Sequence, residues 1–334
     1  MNPQSIPKRD DVAEEAGVSS ATVSRVYNNP DSVSPEKKNA VLKAAQKLGY
    51  VPNKAASALR RNGSGTITLV EFKKKKREYY WADLPLFKWF YAEVLHSVKD
   101  IIDESMFHLN LATINTKEDM LKLQGQTDGL ICYDVDMTEE AEMIADSPIP
   151  YVIGHHTKDF SPHPRCCTDN TEGGRLQAEL LKKAGCEKPV YITGFTQSVA
   201  PNRERLEGFI SVYGDSIRII ETNIGREAGF KTAGNLIKDI KNGKIDGIAA
   251  VNDITAAGAG YALEASGINI QTDIPLAGYD NMPFGDFLPF RLMSVNLRPA
   301  EIYQEAAKML LEKIQGNTKT GNSKIILPKA IGQI

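Results

Sequence analysis

The residues best suited to chemistry in this chain sit at the ends of short apolar runs. Asn252 and Asp253 follow "GIAAV", Asp280 follows "PLAGY", and Arg205 lies early in the helical pattern "NRERLEGF", after the run "PVYITG". If those runs are strands of open parallel sheets, these residues fall where such sheets bind ligands, beyond the carboxyl ends of the strands. A carboxylate or a guanidinium can hold two neighbouring hydroxyls at once. The same groups can also pair with each other, Arg205 with Asp280, and both arrangements are compatible when no ligand is bound. Other candidates fall away. "HHTKDFSPHPRCC" brings together His155, His156, His163, Cys166 and Cys167, but the spacing matches no zinc pattern and adjacent cysteines hold one ion poorly. "GAG" at 258–260 lacks the third glycine of a dinucleotide fingerprint. No G-x-S-x-G or comparable nucleophile–base spacing is present, so neither catalysis nor a cofactor is expected.

The segments that must position these residues alternate in type. Strand-like runs are "TITLV", "FHLNLAT", "DGLICY", "IPYVIG", "KPVYITG", "IRIIET", "DGIAAVND", "IPLAGYD" and "LMSVNL". Between them lie helical patterns such as "FYAEVLHSVKDIIDES", "EGGRLQAELLKKAG", "EAGFKTAGNLIKDIKNG" and "AAGAGYALEASG". Such alternation predicts parallel sheets with helices on both faces. So many strands would make one very wide sheet, so two lobes are expected. "RRNGSG", residues 60–65, reads as a linker between this α/β core and what precedes it.

What precedes it is helical and basic. "RDDVAEEA", residues 9–16, places Val12, Ala13 and Ala16 on one helical face. Gly17 suits the left-handed conformation that ends a helix, and Ser19 suits the N-cap of the next, running from about Ser20 to Tyr27. In that second helix Thr22, Val23 and Val26 face inward; Ser20, Ala21, Ser24 and Arg25 face outward. Ser34 and Pro35 open a third helix that ends near Leu48. Two short helices joined by a tight glycine turn and backed by a third form a helix-turn-helix. Residues 1–63 carry ten Lys/Arg and six Asp/Glu, a net +4 that leaves −6 for the rest of a chain totalling −2. A basic head on an acidic body suits nucleic-acid contact confined to one end.

Two motifs carry a resemblance. "DVAEEAGVSSATVSRVYN" resembles the helix-turn-helix, and "LGYVPNKAASALRRNGSGTITLV" the hinge and linker, of the LacI–GalR family of bacterial transcription regulators. Weaker similarity continues through nearly the whole chain. The resemblance implies a helix-turn-helix domain at 1–51, a hinge helix and linker at 52–65, and an effector-binding core at 66–334. That core is expected to be two α/β lobes like those of periplasmic sugar-binding proteins. One spans about 66–166 and 297–322, the other about 167–296 and 323–334, with three crossovers between them. Operator DNA is the implied macromolecular partner. Ser20, Ala21 and Arg25 would face bases, with Ser24 on the same outward side. Arg25 can bond guanine O6 and N7 together, or else contact a phosphate. Asn53, Ala56, Leu59 and Arg60 would contact DNA through the hinge, with Leu59 wedged in the minor groove; the alternative is a plain tether. In the core, Arg205, Asn252, Asp253 and Asp280 would hold a small-molecule effector, for which a sugar is the expected class.

The first lobe departs from the family where the loop after its first strand becomes "KKKKREYYWADLPLFKWF". Its aromatics, Trp81 among them, could stack on a sugar or cover the cleft. The chain ends without the heptad helix of tetrameric relatives, so a homodimer is expected. No stretch reaches the length of a membrane span, no signal-peptide core opens the chain, and four cysteines do not form a disulfide framework in a chain this long. A bacterial cytoplasm is therefore the expected compartment. The expected function is that of a sequence-specific transcriptional regulator, acting as a repressor under effector control. The rival readings, a sugar-binding protein without a transcriptional role and a sugar-modifying enzyme, leave the intact head unexplained.

Overall fold

The computed structural model describes residues 7–28, 30–50, 63–72, 87–133, 135, 138–154, 163–197, 199–270, 272–316 and 323–332. Several expected site residues lie outside these: Asn53, Ala56, Leu59 and Arg60 of the hinge, and Trp81.

The head is three helices, α1 (Arg9–Glu15), α2 (Ser20–Asn28) and α3 (Pro35–Leu48). Val12, Ala13, Val23, Val26, Val41, Ala44 and Ala45 form its core, with Tyr27, Leu48 and Tyr50 packed around it. Seven small or β-branched residues are a modest core, so the caps matter. Gly17 adopts φ +65°, and the Val18 N–H returns to Ala13 O at 3.0 Å, closing α1 where a side chain would be strained. Ser19 Oγ accepts the Thr22 N–H at 3.2 Å and starts α2. Lys47 reaches Glu15 at 2.6 Å, joining α3 to α1.

The core contains two parallel sheets wound alike. The first has strands β1 (Thr66–Phe72), β2 (His108–Ile114), β3 (Gly129–Tyr133), β4 (Tyr151–Gly154), β5 (Arg165–Thr168) and β11 (Ser323–Ile326), in the order β11-β5-β4-β3-β1-β2. The second has β6 (Pro189–Thr193), β7 (Arg218–Glu221), β8 (Gly247–Ala250) and β9 (Leu276–Ala277), in the order β7-β6-β8-β9. In each, the opening strand lies between the second and third, so β2-β1-β3-β4 and β7-β6-β8-β9 repeat one winding. Both sheets change direction beside their opening strand, the place where open α/β sheets bind ligands. β3 is buried along its whole length, as a strand covered on both faces must be.

Helices α4 (Phe87–Asp103), α5 (Lys117–Lys122) and α6 (Thr138–Ala145) serve the first sheet; α7 (Asn170–Lys183), α8 (Ala200–Tyr213), α9 (Arg226–Lys241) and α10 (Asp253–Ala265) serve the second. After β10 (Ser294–Asn296) the chain returns through α11 (Pro299–Ile314), which packs Ile302, Tyr303, Ala306 and Leu310 into one apolar cluster with Phe90, Val94 and Val98 of α4.

The expected lobe limits need correction. Residues 165–168 form one strand of the first sheet, so a boundary at 166/167 cuts through it. Residues 323–326 also belong to the first sheet, pairing in parallel from Ser323↔Arg165 to Ile326↔Thr168. β5 offers a free outer edge on the first sheet, and "SKII" satisfies its backbone groups there. Of the tail assigned to the second lobe, β12 (Lys329–Ile331) pairs antiparallel with β10.

Candidate DNA-binding head and effector site

On α2, Ala21 and Arg25 are exposed, Ser20 and Ser24 are half-buried, and Val23 and Val26 face the core. Thr22 is half-buried. The outward flank is therefore the expected one, with one qualification: Ser20 is not a free hydroxyl. Its Oγ accepts from Arg9 Nε at 2.5 Å and donates to Asp10 Oδ1 at 2.5 Å.

The linker enters the core through Asp128, just before β3. Its carboxylate accepts the Ser64 N–H at 2.8 Å, the Gly65 N–H at 2.6 Å and the Thr66 N–H at 3.3 Å. Three consecutive amides at the entrance to the core are thus held by one side chain. Sequence reasoning missed this residue, because nothing local marks an aspartate as the partner of a segment 62 to 64 positions away.

In the second sheet, Arg205 is buried early in α8. Its Nη1 donates to Val251 O at 2.8 Å, and its Nε donates to Asn170 Oδ1 at 3.1 Å. Its guanidinium carbon lies 3.7 Å above the centre of the Tyr279 ring, a cation–π stack that fixes the plane of the fork. Nη1 is 3.7 Å from Asp280 Oδ1. The expected Arg205–Asp280 pair therefore exists, while Nη2 has no partner among the described residues. Asn170, at the start of α7, also donates to Glu204 at 3.0 Å. Helix α8 can sit so close because α7 presents Gly174, where a Cβ would lie 1.9 Å from Arg205 O. Neither Asn170 nor Tyr279 was expected at the site; the four-residue β5 hid the start of α7, and Tyr279 stood unnoticed inside "GYD".

Asp280 lies in a strained turn, with φ +105°, followed by Asn281 at φ +53°. The turn is held by Asp280 N–H to Val295 O at 2.8 Å and Asn281 N–H to Ser294 Oγ at 3.0 Å. Burial lifts the Asp280 carboxyl from 3.8 to about 6, against the opposing pull of Arg205. Asn252 caps α10, its Oδ1 accepting the Thr255 N–H at 2.9 Å, and its amide nitrogen has no partner among the described residues.

Asp253 requires correction. It is fully buried, its Oδ1 accepts from Ser294 Oγ at 2.7 Å, and its Oδ2 accepts the Met282 N–H at 2.8 Å. Burial, and then the neighbouring Asp280 charge, push its carboxyl well above the ordinary range. One oxygen holds the loop that carries Asp280, through Met282, and the other holds Ser294 of β10, which itself accepts from that loop, so the buried Asp253 carboxylate positions the loop.

At the carboxyl ends of β1 and β3, Tyr91 of α4 meets the Tyr133 ring edge-on at 5.2 Å, and Tyr303 lies 5.8 Å from Tyr133. Burial, and then the Glu71 charge, raise Tyr91 above the usual phenol range. Trp89 is half-buried and packs on the apolar core. The four cysteines are buried free thiols. Among the described residues no group of three or more His, Cys, Asp or Glu side chains could hold a metal, and no helix is long and apolar enough to cross a membrane. A pocket of about 420 Å³ between α9 and α10, lined by Arg226, Glu227, Phe230 and Tyr261, includes none of the Arg205 cluster.

A three-helix DNA-binding head joined to two like-wound parallel sheets, with a polar cluster at the strand ends, defines a two-part transcription regulator. The comparisons agree: residues 10–53 match the model of bacterial regulatory proteins of the lacI family, and residues 125–318 that of a periplasmic binding protein domain. The chain belongs to the lacI family of bacterial transcription regulators. It is 27% identical to the HTH-type transcriptional regulator CelR of Thermobifida fusca over 93% of both chains. It is 29% identical to the sucrose operon repressor of Streptococcus mutans, covering 92% of this chain and 93% of that one. Its fold is shared with the lac repressor dimer bound to operator and the anti-inducer ONPF, at a TM-score of 0.68 and 22% identity over 98% of each chain.

Proposed function

We propose that the chain is a repressor that binds a near-palindromic operator as a homodimer, and that a sugar bound to the core alters its operator affinity. The observation that carries the sugar reading is the Arg205 cluster. A guanidinium is clamped flat on Tyr279 beside a carboxylate, with Nη2 unspent among the described residues, and Asn252, the residue after its Val251 acceptor, has an amide nitrogen that likewise lacks a described partner. Fixed, planar, mixed donors and acceptors suit vicinal hydroxyls, each of which both donates and accepts. Arg205, Asn252 and Asp280 are the proposed effector contacts in the second lobe. The Tyr91–Tyr133 pair is the proposed apolar surface from the first. On the DNA side, Ala21 and Arg25 read bases from α2, and the segment 52–65 serves as the hinge.

Assembly as a dimer follows from the operator symmetry that such heads read in pairs. Exposed Phe230 and Tyr261 offer apolar surface for a second copy. The relative named for a sucrose operon and the operator-bound lac repressor support the same reading. A thermal-shift screen of the full chain over mono-, di- and phosphorylated sugars tests the effector class. One sugar should raise the melting temperature in the wild type and have no effect in Arg205→Ala. Equal shifts in both proteins, or none with any sugar, would refute the assignment.

A further inference from the structure

We infer that Arg9, at the start of α1, is a base-reading residue of the DNA-binding head, aimed by Ser20 and Asp10; this rests on the operator-binding reading above. Ser20 opens the outward flank of α2, where a hydroxyl is the natural reader. Its oxygen is already committed, accepting from Arg9 Nε at 2.5 Å and donating to Asp10 Oδ1 at 2.5 Å. What the flank presents at that point is the guanidinium that Ser20 holds. Among the described residues both terminal nitrogens of Arg9 lack a hydrogen-bond or ion-pair partner, and the side chain is one-third exposed. Anchored at Nε, the group has its remaining fork free, the geometry that matches O6 and N7 of guanine.

The neighbouring carboxylate decides between base and backbone. Asp10 Oδ1 lies 3.9 Å from Arg9 Nε and the Asp10 side chain is 78% exposed. A phosphate approaching the Arg9 fork would meet that negative charge; the uncharged edge of a base pair would not. The arrangement therefore favours Arg9 on a base edge. Arg25, in the C-terminal half of α2, supplies a second reader further along the groove. Sequence reasoning passed over Arg9 because it lies 11 residues before Ser20, in the helix that backs the reading helix.

The test uses the full chain. Duplexes preferred by the wild type are first selected from a random-sequence library. Wild type, Arg9→Ala, Arg9→Lys, Ser20→Ala and Ser20→Thr are then titrated on the preferred duplex, on its single-base-pair variants and on random-sequence DNA. Arg9→Ala should weaken binding to the preferred duplex about tenfold or more and erase a guanine preference at one symmetric pair of positions. Its affinity for random DNA and its salt dependence should stay at the wild-type values. Arg9→Lys should lose the base preference as fully, Ser20→Ala should lose part of it, and Ser20→Thr, which keeps the hydroxyl, should retain it. Equal losses on preferred and random DNA with a shallower salt dependence would assign Arg9 to a phosphate and overturn the inference. Unchanged base preference in Arg9→Ala would overturn it as well. A wild type that selects no sequence at all would overturn the operator-binding reading itself, so the two failures are told apart.

Discussion

Replacing Asp280 with asparagine should make the ligand-free protein more stable while removing its response to sugar. Burial lifts this carboxyl from 3.8 to about 6 even with Arg205 beside it. At about 1.4 kcal/mol per pH unit of displacement, ionising Asp280 in the folded chain costs roughly 3 kcal/mol more than in the unfolded one. The sign follows from proton binding. Between pH 3.8 and about 6 the folded state holds the proton more tightly, so the group's contribution to stability is greatest below that window. It declines as pH rises through the window and is constant above it. Asparagine does not titrate, and it tolerates the positive φ of this turn as well as aspartate does. Denaturant titration of the core transition should show Asp280→Asn more stable than wild type at pH 7 by about 1–3 kcal/mol. The difference should shrink towards zero near pH 4. A variant that is less stable than wild type at pH 7 would show that pairing with Arg205 outweighs burial, and would refute the reasoning.

Other perturbations probe the framework. Asp253→Ala leaves Ser294 Oγ and the Met282 N–H without their buried acceptor; it should cost about 2–4 kcal/mol by denaturant titration and weaken sugar binding by loosening the Asp280 loop. Gly174→Ala places a methyl against Arg205 O and should lower stability by about 3 kcal/mol or prevent folding, read by thermal melting. If the ionised Asp280 accepts sugar hydroxyls, effector affinity measured by calorimetry should fall about fivefold between pH 6 and pH 5 and stay level above pH 7. Asp128→Ala frees three linker amides and should speed hydrogen exchange at residues 64–66 while leaving sugar affinity at the wild-type value.

The parts of the fold readable from sequence are those whose signal is local. The glycine turn at Gly17, the cap at Ser19 and the proline start of α3 each follow from one or two residues, and the structure has them there. The nine apolar runs all became strands; the buried parallel ones, β3, β6 and β8 among them, need the continuous apolar segment that made them legible. β5, β11 and β12 were not legible: each is four residues or fewer, "RCCT" and "SKII" have no period, and their pairing is decided by a distant free edge. That one omission shifted the lobe limits and concealed Asn170. Arg205 and Asp280 could be singled out from the sequence because charged residues at strand ends or in the helices that follow them stand out, and the structure brings the two together as a pair. The error over Asp253 has a physical cause. Adjacent residues at a helix start point in different directions, and sequence alone does not say that Ser294 and Met282 lie ready to occupy its carboxylate.

The most direct measurement is the affinity of the chain for its preferred duplex, titrated with and without each sugar of the thermal-shift panel. The expected result is tight, salt-sensitive binding that one sugar changes about tenfold or more, a coupling of roughly 1.4 kcal/mol or above. Arg205→Ala should bind the same duplex as the wild type does without sugar, and be indifferent to that sugar. Duplex affinity that no sugar alters, or an Arg205→Ala protein that still responds fully, would contradict an effector-controlled regulator with its site at Arg205 and Asp280.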